Sequence, residues 1–294
     1  MLGYRIFNLP RYIILVLLCC YVWGCSRKTN EHTDWQAPSW TSDGKVIFME
    51  HYYIERSLDG ALMSYEEGGK EEVWLCEINS DGTNLRKVKK VLENKFWGGC
   101  EIGLGSTSSA GEWIAFNIGD NRGDNRLSVI YVIKKDGTEL KKVGEGLYPD
   151  FSPDASKIVY QKLNQGIWII NRDGTNDHQL IINGNNVAWS PDGEKIAYNV
   201  GDKIFISDTL GNNVDSLRKF IYLSDWGPLD SNAILVTDWK LNKSIILYLT
   251  THLEDTLAVS VGKWSPAGDC FMGYDENGYF IIKRDGTNKL YLKP

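Results

Sequence analysis

The chain has 294 residues, 24% of them charged and 12% aromatic, with 29 glycines, 11 tryptophans and a formal net charge of −6. Ordinary charge and hydrophobicity exclude a mainly disordered or multi-spanning membrane chain, and the acidic balance disfavours a nucleic-acid partner, which needs concentrated positive charge. The glycine and aromatic counts point to many short strands and tight turns.

The first segment in chain order stands apart. Arg5 and Arg11 give a positive start, and Ile13 to Gly24 runs without charge. A bilayer-spanning helix takes about 20 apolar residues, so this run has the length of a secretory signal core instead. It ends in Val22-Trp23-Gly24-Cys25 before the polar Ser26-Arg27-Lys28. That ending resembles the lipobox of bacterial lipoproteins, with Trp23 standing where a small residue is usual. The resemblance implies acylation of Cys25 and attachment to a membrane surface; an uncleaved signal anchor is the alternative. Loss of the leader ahead of Cys25 leaves 30 basic against 38 acidic residues, or −8, and three cysteines besides Cys25: Cys76, Cys100 and Cys270. No Cys-x-x-Cys pair survives among them. They read as small apolar strand residues, with a Cys76–Cys100 bridge as the alternative.

Two turn signatures then alternate along the chain. The first is an aromatic residue before Ser-Pro-Asp-Gly or a relative: Trp40-Thr41-Ser42-Asp43-Gly44, Phe151-Ser152-Pro153-Asp154-Ala155, Trp189-Ser190-Pro191-Asp192-Gly193 and Trp264-Ser265-Pro266-Ala267-Gly268. Degenerate copies lie at Ser109-Ala110-Gly111 and Trp226-Gly227-Pro228. The second is Asp-Gly-Thr, at 81–83, 136–138, 173–175 and 285–287, with weak copies at Leu210-Gly211-Asn212 and Glu254-Asp255-Thr256. Proline fixes φ, aspartate accepts from the turn's own backbone, and glycine supplies positive φ. Between the turns lie β-type runs such as Val46-Ile47-Phe48-Met49, Trp113-Ile114-Ala115-Phe116, Ile167-Trp168-Ile169 and Lys195-Ile196-Ala197-Tyr198. Six copies of a unit of about 40 residues predict an all-β, six-bladed β-propeller of four-stranded antiparallel blades.

These turns resemble the WD40-like PD40 repeats of TolB-like six-bladed propellers, over roughly residues 38–294. The resemblance implies a bacterial cell-envelope protein facing the periplasm or exterior. The expected organisation is a signal peptide over 1–25, a short linker over 26–37 and the propeller over 38–294. The alternative for residues 29–37 is an added strand of the last blade. Trp40, Trp189, Trp226 and Trp264 share one repeat position, and Trp74 and Trp168 another, so most tryptophans read as packing between blades.

The spacing between turns locates insertions. It is 17–18 residues in blades three, four and six, but 37 from Gly44 to Asp81, 25 from Gly111 to Asp136 and 23 from Ser231 to Glu254. Strand direction places these insertions, and the long link from blade one to blade two, on the face opposite the signature turns. Loops on a rigid scaffold are where recognition concentrates. The candidate ligand or partner residues are therefore His51, Tyr52, Tyr53, Glu55, Arg56, Trp97, Asp120, Arg122 and Trp239. Tolerated length variation in surface hairpins accounts for the insertions equally well.

Little else reads as chemistry. His32, His51, His178 and His252 have no metal-ligand spacing, Gly103-Leu104-Gly105-Ser106 lacks the strand-to-helix context of a phosphate loop, and Asp120 to Asp124 lacks calcium-loop spacing. No catalytic residue, metal or cofactor is expected. The preferred reading is a non-catalytic, lipid-anchored module for an envelope protein or glycan. The alternative is a propeller enzyme acting on polysaccharide or peptide in its central funnel, which calls for a convergent polar pocket on the axis. A scaffold role in a larger envelope complex is a third reading.

Overall fold

The computed structural model describes residues 26–59, 64–96, 102–120, 128–212, 215–219, 222–228, 232–238, 241 and 243–292. These residues form six four-stranded antiparallel sheets and no helix: an all-β, six-bladed propeller. Every blade is one contiguous stretch of chain, its strands ordered as they occur. Blade one comprises β1 (Ser26–Trp40), β2 (Val46–Asp59), β3 (Ser64–Ile78) and β4 (Arg86–Phe96). Blade two is β5 (Ile102–Ala110), β6 (Trp113–Asp120), β7 (Ser128–Lys134) and β8 (Lys141–Glu145). Blade three is β9 (Leu147–Phe151), β10 (Lys157–Lys162), β11 (Gly166–Asn171) and β12 (His178–Ile181). Blade four is β13 (Asn185–Trp189), β14 (Lys195–Val200), β15 (Lys203–Asp208) and β16 (Asp215–Lys219). Blade five is β17 (Tyr222–Trp226), β18 (Ala233–Asp238), β19 (Lys243–Tyr248) and β20 (Glu254–Thr256). Blade six is β21 (Val261–Trp264), β22 (Cys270–Asp275), β23 (Gly278–Lys283) and β24 (Leu290–Tyr291).

The first strands of neighbouring blades adjoin around the axis, β1 beside β5 and β21 beside β1. Alternation then sends successive side chains into the two flanking blades. Ile47 and Met49 of β2 pack with Ile114 and Phe116 of blade two, while Val46 and Phe48 pack with Met272 and Ile281 of blade six. Blade one thereby closes the ring on blade six by side-chain packing, with no strand exchanged between them among the described residues. Burying such an aliphatic or aromatic side chain contributes about 1.5–3 kcal/mol.

Both turn signatures do what their residues predict. In the four Asp-Gly-Thr turns one aspartate oxygen accepts the threonine N–H at 2.8–2.9 Å and its hydroxyl at 2.6 Å. In the Ser-Pro-Asp turns the serine is buried; Ser152 donates to Asp154 at 2.6 Å and accepts the Lys157 N–H at 3.0 Å. The Ser152 hydroxyl, with the Ser156 N–H and hydroxyl, holds the Asp154 carboxyl down at about 2.

Three expectations change. Residues 26–37 are neither a linker nor an addition to the last blade: they pair with β2, from Ser26 opposite Asp59 to Gln36 opposite Met49. The blade-one insertion is likewise sheet rather than loop, since β2 and β3 stay paired from Val46–Ile78 out to Asp59–Ser64. In blade five Glu254-Asp255-Thr256 is strand β20; the turn lies earlier, where the Leu253 carbonyl accepts the Tyr248 N–H and His252 takes a φ of 55°. Cys76 is a buried free thiol whose pKa burial pushes up to about 12. Its suggested partner Cys100 lies outside the described residues.

Candidate binding face and axial funnel

The extended part of blade one holds most of the described candidate residues. Directly opposed residues of antiparallel strands share a face, so Tyr52 sits beside Thr33 and Glu72 on one side, and Tyr53 beside His32 and Glu71 on the other. On the first side Glu72 accepts from Lys70 at 2.5 Å, Lys90 at 2.8 Å and the Trp74 indole at 2.9 Å, and Glu93 adds bonds to both lysines. Lys70, and then Lys90, hold the Glu72 carboxyl at about 2. Both Lys87 and Lys90 lie over the Trp74 ring, at 5.3 and 5.2 Å. Desolvation and a bond to Glu31 raise the Tyr52 phenol.

The other side is aromatic. Tyr53 stacks on His32 at 4.7 Å between centroids and lies 5.2 Å from His51. His51 itself is a correction to the candidate set: it is 2% exposed, and its Nε2 lies 3.1 Å from Oε2 of fully buried Glu71. A diagonal cross-strand pair places both groups inside blade one, so His51 braces the sheet instead of offering a surface. Tyr52 and Tyr53 are half-buried and accessible at their edges. Glu55 and Arg56 lie further out on β2, opposite Gly69 and Gly68, and Asp120 ends β6. Cys25, Trp97, Arg122 and Trp239 lie outside the described residues.

A second constellation, absent from the sequence reading, lies on the axis. Strand pairing aligns Ser39, Ser108, Asp150, Ala188, Asp225 and Lys263 at one level of the six inner strands, opposite Ile47, Ala115, Val159, Ala197, Leu235 and Met272. Several of them latch one blade to the next. The Ser108 hydroxyl accepts the Phe151 N–H at 3.1 Å, Asp150 accepts the Trp189 N–H at 2.8 Å, and Asp225 accepts the Trp264 N–H at 2.8 Å. Ser108 also donates to Asp150 at 2.7 Å, and Lys263 donates to Asp225 at 3.3 Å. Burial raises the Asp225 carboxyl. Burial opposes the Lys263 ammonium, but the charges of Asp225 and Asp150 outweigh it and raise the lysine.

Lys263 borders two cavities. One, of about 370 Å³, includes Thr237, Ser260, Met272, Tyr274 and Tyr279; the other, of about 140 Å³, includes Tyr148, Asp150, Asn186 and Ser224. The axis therefore carries two carboxylates and a lysine beside these cavities, although both carboxylates also hold the ring together. Among the described residues no group of three or more His, Cys, Asp or Glu is placed to hold a metal ion. No described helix is long and apolar enough to cross a membrane.

In five of the six blades the sequence signal for this ring was the residue before the turn aromatic; in blade two Ser108 precedes Ser109 instead. Its members differ in type and recur at unequal spacing, 69 residues from Ser39 to Ser108 and 37–42 thereafter, so the level appears only once the strands are in register.

No family model matches the chain, and no curated protein matches it in sequence. Among solved structures it is similar to an oligogalacturonate lyase in complex with manganese, with a TM-score of 0.52 at 11% identity, covering 87% of this chain and 90% of that one. An oligogalacturonate lyase from Vibrio parahaemolyticus gives 0.51 at 10% identity, with 89% and 99% covered. A chain of a mitotic checkpoint complex gives 0.51 at 10%, with 86% and 92% covered. Proteins this unlike in role share the propeller scaffold alone, and what the chain has in common with them is the six-bladed fold.

Proposed function

We propose that this chain is a lipid-anchored cell-envelope propeller that binds a protein or glycan on the face carrying its insertions, without catalysis. The observation that carries the reading is the blade-one sheet, which continues past the ring and exposes Tyr52, Tyr53, His32 and a lysine–glutamate ladder around Trp74. Aromatic edges interleaved with charge suit protein and sugar surfaces. The TolB-like repeat turns and the apolar segment ending at Cys25 support the envelope address. The test is capture from solubilised envelopes after crosslinking, with the acylated protein as bait. Loss of the captured partner on replacing Tyr52, Tyr53, Trp97 and Trp239 by alanine supports the reading; unchanged capture by that variant sinks it.

A second reading rests on the axial funnel. Asp150, Asp225 and Lys263 converge beside cavities of about 370 and 140 Å³, and two proteins of similar fold are oligogalacturonate lyases. Incubation with oligogalacturonate and neutral oligosaccharides, followed by product chromatography, separates the two readings. Cleavage that Lys263→Met abolishes, and that the tyrosine substitutions leave alone, favours the enzyme.

A further inference from the structure

We propose that the extended part of blade one is a stiff stand-off that turns the insertion face toward a lipid surface and holds the propeller body about 30 Å away from it, at 3.3 Å per strand residue. The inference rests on the proposed acylation of Cys25.

Strand alignment sets the length of the arm. Val46 of β2 matches Ile158 of β10, since each pairs with its blade's first strand at the turn aromatic, Trp40 or Phe151. Strand β10 ends at Lys162, the counterpart of Glu50. Residues 51–59 of β2 therefore continue beyond the point where an ordinary blade turns back. Along that whole stretch β2 is paired on both sides, with residues 26–34 of β1 and with β3 from Ser64 to Val73. Fourth-strand residues Leu92–Phe96 brace its lower half.

The root of the arm is fastened to the ring. A register shift between Gln36 and Ser39, with Ala37 at a φ of 53°, bends β1 where it leaves the body. Trp35 packs on Phe48 at 4.0 Å and joins the core shared with blade six. The Ala37 main chain is hydrogen-bonded to the Tyr279 hydroxyl of that blade. The sheet thus leaves the ring at a set angle.

Direction follows from chain order. Strand β1 starts at its outer tip, where Ser26 is opposite Asp59. Cys25 is the next residue, so acyl chains on it attach to the end of a paired sheet with no intervening linker. The face from which the arm projects, with the cavity of about 370 Å³ that includes Tyr274 and Thr237, must then look at the lipid, while the Asp-Gly-Thr turns look away. A partner for the insertion face occupies the gap between body and membrane.

Neutron reflectometry of the acylated chain on a supported bilayer tests this. The expected profile is a sparse layer about 30 Å thick against the headgroups, followed by one dense layer. A Gly/Ser linker of about a dozen residues inserted between Cys25 and Ser26 is expected to smear that step, because such linkers behave as flexible coils. A dense layer directly on the headgroups of protein shown by mass spectrometry to be acylated overturns the stand-off and leaves the anchor intact. Absence of acyl mass on Cys25 overturns the anchor, and the stand-off with it.

Discussion

In blade four the chain leaves the turn at Ser190-Pro191-Asp192-Gly193, runs six residues through β14 and returns after Gly201 and Asp202. In blade one the matching strand runs 14 residues to Asp59 before it turns. Both begin with a buried hydroxyl at the turn, Ser190 or Thr41, and a buried apolar pair entering the sheet, Ile196-Ala197 or Val46-Ile47. They diverge at the far end, where blade four has run out of strand-forming sequence and blade one continues with His51-Tyr52-Tyr53-Ile54. The body of a blade is held by its neighbours on both sides, whereas the arm is held by pairing within one sheet. Under the proposed function, stability and recognition fall to different stretches of the same strand.

The sharpest test of that division compares Phe116→Ala with Tyr53→Ala in chemical denaturation. Phe116 is 1% exposed in the core between blades one and two, and its truncation is expected to cost about 3–5 kcal/mol. Tyr53 lies on the arm and is expected to cost less than about 1 kcal/mol, in line with a partly exposed stacking pair. Equal losses would show that the arm is part of the cooperative core.

His51 and Glu71 sit at the boundary between the two regions. Glu71→Leu removes the carboxylate 3.1 Å from the buried imidazole and is expected to cost about 1–3 kcal/mol; the double variant His51→Leu/Glu71→Leu is expected to recover part of that. A double-mutant cycle with no coupling would show that the pair does not act as a unit.

The turns offer a smaller contrast. Gly82, at a φ of +81°, has no atom within 4 Å of where a Cβ would sit, while at Gly174 the Val143 carbonyl oxygen is 3.2 Å away. Alanine at Gly82 is expected to cost about 1 kcal/mol from backbone strain alone, and alanine at Gly174 more, measured by thermal melting. The reverse order would mean that neighbouring blades adapt to the turns.

The smallest effects concern acid. Glu72 and Asp154 are both depressed to about 2, from ordinary values of 4.5 and 3.8, the first by lysines on the arm and the second by hydroxyl and amide donors in a turn. A depressed carboxylate contributes stability that is present above its unfolded pKa and lost as pH falls toward 2. Added salt is expected to raise the Glu72 midpoint more than that of Asp154, because screening weakens ion pairs at exposed sites. Carboxyl NMR titrations at two ionic strengths measure this, and equal shifts would remove the distinction.

Fold class was legible because the signature turns are local chemistry: a Ser-Pro-Asp-Gly or Asp-Gly-Thr run forms its bonds within five residues. The end of blade one that carries its insertion was legible too, since strand alternation fixes it. The insertion's form was not. Nothing in Ser26 to Gln36 alternates as an apolar strand, and these residues are strand because β2 offers them partners. His51 read as a surface group for the same reason: its burial depends on Glu71, 20 residues away. The axial ring needed six registers at once, and Ala188 and Lys263 share nothing but a level. The shift of the blade-five turn to Thr250-Thr251-His252 shows the opposite limit, where a weak Asp-Thr match outcompeted a turn with no signature.

The last seam sets an order of assembly. Since no described strand crosses between blades six and one, each blade can settle on its predecessor as the chain emerges. Trp40, Val46, Phe48, Cys76 and Ile78 face the missing neighbour throughout, until Met272, Ile281 and Leu292 are delivered. The first blade made is thus the last one covered. Any factor that escorts the growing chain has one sticky surface to shield, and a chain cut short before Leu292 leaves it unsealed.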